Sequence, residues 1–216
     1  MTSNVLNLSI VLFLFLLIFG GAEFLYKRKT SASITRKIVH VGSGIVAALL
    51  PIFVDLKTVI ILGIGFFLLL VFSKRKNLLN SVHKINNEGI GALLFAPSVT
   101  LTAVIFWPTN TLIFQGAALI LGLSDGIAGV VGARYGKKKY SITGTKTIEG
   151  SLIFFLITVL ILFGALYISG TPLVFNNALF LFVGSLLLTI IEATFGGGWD
   201  NLFVPITAGS ILYFAL

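Results

Sequence analysis

The sequence contains no cysteine. That excludes disulfides and thiolate metal sites, although it fixes no compartment by itself. Charge is scarce as well. Asp, Glu, Lys and Arg make up 10% of the residues, against about 25% in soluble domains. A chain that is 57% hydrophobic, with mean hydropathy +1.08, is not an ordinary soluble domain. It reads as an integral membrane protein with a single domain over residues 1–216. Seven acids face fifteen Lys and Arg, a net charge of +8. In a soluble protein that excess would suggest nucleic acid. Here the enrichment of cytoplasmic loops in Lys and Arg accounts for it, and no nucleic-acid partner is expected. A Walker-type G-x-x-x-x-G-K-[ST] pattern is absent, and so is any period of about 20–50 residues. The leader MTSN has no Lys or Arg, unlike a cleaved signal peptide, so Val5–Phe19 is expected to open a retained span.

Crossing about 30 Å of hydrocarbon takes roughly 17–25 apolar residues. Eight such segments are expected: Val5–Tyr26, Ile34–Val54, Thr58–Phe72, Gly89–Trp107, Thr111–Ala133, Ser151–Ile168, Leu173–Glu192 and Leu202–Leu216. The fold expected is therefore an all-α polytopic bundle. The basic residues alternate with these spans. Lys27, Arg28, Lys29, Arg36 and Lys37 fall in the first loop, Lys74, Arg75, Lys76 and Lys84 in the third, and Arg134, Lys137, Lys138, Lys139 and Lys146 in the fifth. Only Lys57 lies on the other side. The basic side is cytoplasmic by the positive-inside rule, which puts both termini outside. Of the seven acids only Asp55 escapes the basic side. Acids follow that rule weakly, so their gathering there suits a site for a metal and a polyanion.

Asp125 lies within an apolar run. A central intramembrane carboxylate costs about 2.5–3.5 kcal/mol on insertion scales and is a functional candidate. On a helix it shares a face with Ala128, Gly129, Gly132 and Gly136. Close packing through small residues explains such a face; a ligand groove with a metal on Asp125 is the other reading. In TRKIVH, Arg36 and His40 stand one turn apart. A cation at a helix N-terminus opposes the dipole, a conflict that bound phosphate would remove. Ordinary topological charge is the plainer reading of Arg36 and Lys37, and His40 could be a satisfied polar residue of the bundle. In NNEGIGALLFAPSV, Glu88 precedes a span, where a first-turn acid is favourable anyway. The loop GARYGKKKYSITGTKTIEGS is basic and glycine-rich and leads into a helix, the general recipe for a phosphate cradle. Lys137–Lys139 suit solvated headgroup contacts. Lys146 is expected on phosphate, Glu149 on Lys146 or a metal, and Thr147 at phosphate or as a cap. In EATFGGGWDN, Glu192 ends a span where the dipole disfavours it, so a distant base or a metal should offset it. The three glycines allow a tight fold that returns Asp200 and Asn201 to the membrane surface.

RKIVH, EGIGALLF, SDGIAGVVGARYG, KTIEGS and E…DNLFVP, spread from Arg36 to Pro205, resemble the CTP-dependent polyprenol, phytol and diacylglycerol kinase family of membrane lipid kinases, dolichol kinase among them. The resemblance implies that Arg36, Lys37, Asp125, Gly132, Lys146 and Glu149 belong to a nucleotide and phosphoryl-transfer site. Phosphatidate cytidylyltransferases share a similar D…G…KTxEG arrangement but usually end in G-H-G-G…D-R-x-D, where this chain has GGGWDN. The activity expected is transfer of the terminal phosphoryl of CTP, or another nucleotide, to a membrane lipid alcohol at the cytoplasmic face. CDP-lipid synthesis is the alternative. An anionic-solute transporter is a third reading, disfavoured by the lack of paired halves. Mg²⁺ is expected on Asp125, Glu149 and Glu192. The catalytic set expected is Asp125, Lys146, Glu149 and Asp200, with Asp200 or Glu192 as base. Nucleotide contacts are expected from Arg36, Lys37, His40, Gly129, Gly132, Lys146, Thr147, Gly150 and Asn201.

Overall fold

The computed structural model describes residues 2–83, 90–143 and 145–216. Lys84, Glu88 and Gly89, singled out in the sequence, lie outside the described residues. The chain runs α1 (Thr2–Lys27), α2 (Ala32–Phe53), α3 (Leu56–Arg75), α4 (Asn80–His83), α5 (Gly91–Phe106) and α6 (Thr111–Leu119). A π-helical turn, Ile120–Asp125, joins α6 to α7 (Gly126–Tyr135). A hairpin of β1 (Lys139–Ser141) and β2 (Thr145–Thr147) precedes α8 (Ile148–Ser169), α9 (Phe175–Thr194) and α10 (Asp200–Ala215). Among the described residues the architecture is all-α apart from those two short strands. Each of the eight expected segments falls on a helix. Six of the continuous rods are long and apolar enough to cross a bilayer, while α5 and α10 are shorter, with 16 residues each.

Local chemistry sets the helix starts. Asp55 Oδ1 accepts from Thr58 N–H at 2.9 Å, Asn110 Oδ1 from Leu112 N–H at 2.9 Å, and Thr147 Oγ1 from Gly150 N–H at 3.1 Å. Each satisfies a backbone donor that the first turn cannot pair internally. α8 ends at Gly170 in the left-handed region, φ 75°, a common stop.

The rod Thr111–Tyr135 is the central element. It is 56% buried, against 11% for α1, and it packs on α2, α5, α8 and α10. In hydrocarbon the lipid tails are as apolar as Leu, so close packing and interhelical hydrogen bonds hold helices together. Gly44 of α2 meets Gly122 backbone to backbone: a Cβ on Gly122 would lie 2.6 Å from Gly44 Cα. Beside this crossing, Gln115 Nε2 donates to Ala48 O at 3.0 Å. Thr158 of α8 donates to Ser124 at 3.0 Å. These contacts fix the height and rotation of the π turn.

The hairpin replaces the expected open loop. Its strands pair Lys139 with Thr147, Tyr140 with Lys146 and Ser141 with Thr145. The Tyr and Thr residues favour extended backbone. Tyr140 OH lies 2.5 Å from Ser151 Oγ, and Thr143 Oγ1 donates to Thr194 O at 2.5 Å. The hairpin is thereby fastened to α8 and to the end of α9.

The missing cysteines make the topology testable. An impermeant maleimide added to intact cells is expected to label Thr109→Cys. Lys138→Cys is expected to react only after permeabilisation. The reverse pattern would invert the orientation.

Candidate functional site

A cleft of 740 Å³ opens at the end of the bundle that carries the basic residues. It is built from the first turns of α2, α5 and α10, the π turn and α7, strand β2, the start of α8 and the end of α9. Its floor is ionic. Asp125, 8% exposed, ends the π turn. Its Oδ2 lies 3.3 Å from Lys37 Nζ and 3.0 Å from His40 Nε2. His40 Nε2 is also 2.8 Å from Leu121 O. Both neighbours are oxygen acceptors, so Nε2 carries the proton. Arg36 lines the same cleft, within electrostatic reach of Asp125 and Asp200.

The second half of the floor centres on Lys146. Its ammonium lies 2.5 Å from Glu192 Oε1 and 3.3 Å from Asp200 Oδ2, and it also donates to Glu192 O. This is the distant base that Glu192 needs at a helix C-terminus. Burial alone would lower the Lys146 pKa, but the Glu192 and Asp200 carboxylates outweigh it and raise the value. The ammonium therefore stays protonated at neutral pH.

One oxygen from each of Asp125, Glu192 and Asp200 can be chosen so that all three lie within 4.8 Å of one another. Glu192 Oε2 is buried and has no hydrogen-bond partner among the described residues. Hard carboxylate oxygens near a helix end, one of them orphaned, fit Mg²⁺, which takes one or two carboxylates and keeps several waters.

Glu149 does not join this group. The sequence expectation placed Lys146 and Glu149 within one turn, which requires helix through both. The helix begins only at Ile148. Lys146 is extended on β2 and points across the cleft. Glu149 sits in the first turn of α8, its carboxylate 3.4 Å from the Lys138 N–H. Asp200 takes the place expected for Glu149 beside Asp125 and Glu192.

The remaining expected residues line the cleft with structural partners. Thr147 caps α8. Gly150 supplies the N–H for that cap and packs against Gly132, whose Cβ would meet Thr147 Oγ1 at 2.7 Å. Gly129 leaves room for Lys37 to reach Asp125: a Cβ there would lie 2.6 Å from Lys37 Nζ. Packing thus explains the small face that Asp125 shares. Asn201 Nδ2 donates to Gly91 O at 2.8 Å and ties α10 to α5. Sequence reasoning assigned Lys139 to solvent, yet it also lines the cleft. Strand pairing is what carries it there.

Fold and cleft define an integral membrane protein in which the buried ion pairs among the described residues gather at one end of a helical bundle. Comparison with known proteins narrows the class. The chain is 31% identical over 212 residues to a phytol kinase of Synechocystis sp., covering 89% of this chain and 84% of the relative. It is 28% identical over 201 residues to a probable chloroplastic phytol kinase 3 of Glycine max, covering 83% of this chain and 63% of that relative. The chain belongs to the phytol kinase family. No protein-family model matches it, and no solved structure matches it significantly.

Removing one partner of a buried ion pair strands the other charge. Glu192→Ala is expected to destabilise the protein by roughly 2 kcal/mol, discounted because the cleft admits some water. Glu149→Gln is expected to leave the melting temperature in detergent unchanged. Equal losses in the two variants would contradict the partition described here.

Proposed function

We propose that this protein is a lipid alcohol kinase that transfers the terminal phosphoryl group of CTP to the hydroxyl of a membrane isoprenoid alcohol at the cytoplasmic face. The observation that carries the reading is the ionic floor. Three carboxylates and the cations Lys37 and Lys146 interlock beside Arg36 in one cleft. Phosphoryl transfer is mainly positioning and charge neutralisation, and this floor offers both. The relatives named phytol kinases support an alcohol acceptor. The family resemblance of RKIVH, SDGIAGVVGARYG and KTIEGS supports CTP as donor.

The alcohol oxygen attacks the γ-phosphorus. The bond from that phosphorus to the β–γ bridging oxygen breaks, and CDP leaves with the electron pair. The hydroxyl proton passes to a carboxylate of the floor, Asp200 or Glu192. Arg36, Lys37 and Lys146 neutralise phosphate oxygens. Asp125 and whichever of Glu192 and Asp200 does not take the proton would hold Mg²⁺, which offsets charge on the transferred group when bound. Nucleotide and metal would enter by exchange of ion pairs: lysines turn from acids to phosphates as the acids turn to the metal. His40 acts through Asp125, fixing its rotamer by the bond at 3.0 Å.

CTP labelled in its terminal phosphate is expected to place label on the lipid. Label in pyrophosphate instead would mean nucleotidyl transfer and would overturn the reading. Asp125→Asn and Lys146→Ala are each expected to lower turnover by at least roughly a hundredfold, the scale seen when one charge-stabilising contact is removed, with membrane insertion retained. Near-normal turnover in purified variants would remove those two residues from the chemistry.

A further inference from the structure

The charged cleft continues past its ionic floor. A second, narrow cavity of 50 Å³ lies between α1, α2, α3 and α5. Phe19, Ser43, Leu70 and Phe95 line both spaces. Beyond them the wall turns apolar, with Phe15, Leu62 and Phe66 facing the cavity. Residues on α2 grade along a single face at helical spacing. Arg36 and His40 line the cleft, Ser43 the junction, and Ala47 and Leu50 the apolar part.

Ser43 is the informative residue. It is 3% exposed, and its Oγ has no hydrogen-bond partner among the described residues. Leaving a buried hydroxyl unpaired costs about 1–3 kcal/mol. A helical serine ordinarily relieves this by bonding back to the preceding turn. Ser185 does so to Leu181 O and Ser210 to Ile206 O. Ser43, like Ser81 and Ser98, does not, but of these three it is the one that lines the point where a polar space meets a greasy one. One turn away, the His40 ring pairs with Asp125 and stands edge-on to Phe95 with ring centroids 4.9 Å apart.

We propose that the hydrocarbon chain of the acceptor alcohol lies in the groove between α1, α2, α3 and α5, and that its hydroxyl is held at Ser43 Oγ, one turn from the His40–Asp125 pair. This assignment rests on the lipid-kinase reading above. A lipid with a polar end and an apolar tail is the occupant that satisfies both walls and the orphaned hydroxyl at once.

Three measurements test it. Ser43→Ala is expected to raise KM for the alcohol roughly five- to tenfold, the scale of one lost hydrogen bond, with KM for CTP unchanged. Leu62→Trp fills the groove from α3. It is expected to cut kcat/KM for a diterpenoid alcohol at least about tenfold, since several buried methylenes are displaced, while a monoterpenoid alcohol keeps its rate. An isoprenoid alcohol with a diazirine in its tail is expected to leave adducts on the wild-type segments that carry Phe15 and Leu62–Phe66. Adducts confined to other helices would overturn the groove even if a variant fails to insert. An unchanged KM and an unchanged chain-length profile in folded variants would also overturn it. Failure of the wild type to phosphorylate any alcohol would instead sink the kinase reading, and the adduct map would still judge the groove.

Discussion

Charge at the edge of hydrocarbon has to be neutralised where it stands, and that constraint organises this bundle. An isolated acid or base in a membrane helix is costly. Here the compensation is mutual and comes from different elements. Asp125 on the central rod is answered by Lys37 and His40 on α2. Lys146 on β2 is answered by Glu192 at the end of α9 and Asp200 at the start of α10. Each pair ties together segments far apart in sequence. The ionic floor therefore holds the bundle end in register.

The scaffold around that floor is arranged to deliver charged groups to one level. The Gly44–Gly122 crossing brings α2 against the central rod, and the cations on the first turns of α2 follow. The hairpin swings Lys146 over the ends of α9 and α10, held by Tyr140 and Thr143. Asn201 secures α10 to α5. Each lysine of the floor is already oriented by a carboxylate.

Much of this was legible in the sequence. Apolar run lengths located the long helices, because a bilayer demands continuous apolar spans and little else is compatible with them; the four-residue α4 carries no such run. The clustering of acids and bases on one side announced a single polar end. Asp125, Lys146, Glu192 and Asp200 were all visible as charges in unfavourable places. What the sequence hid were departures from one helical period. Lys146 and Glu149 look like neighbours on a helix, but a strand ends between them, and they diverge. The partners of Lys146 lie 46 and 54 residues away, beyond any local pattern. Ser43 carries no signal in sequence at all, since only the packed structure shows that its hydroxyl is left alone.

The π turn at Ile120–Asp125 bears on how this acid came to point where it does. Such turns arise inside α-helices as single-turn bulges, frequently at functional sites. One residue is worth about 100° of rotation on an α-helix. Winding these same residues as regular α-helix instead would turn everything on one side of them relative to the other by about that angle, because a π turn absorbs one residue more than an α turn. The carboxylate would leave His40 and Lys37 and face another neighbour, though no side chain had been altered. The direction of the acid is thus encoded in the winding of the backbone as well as in the side chain itself.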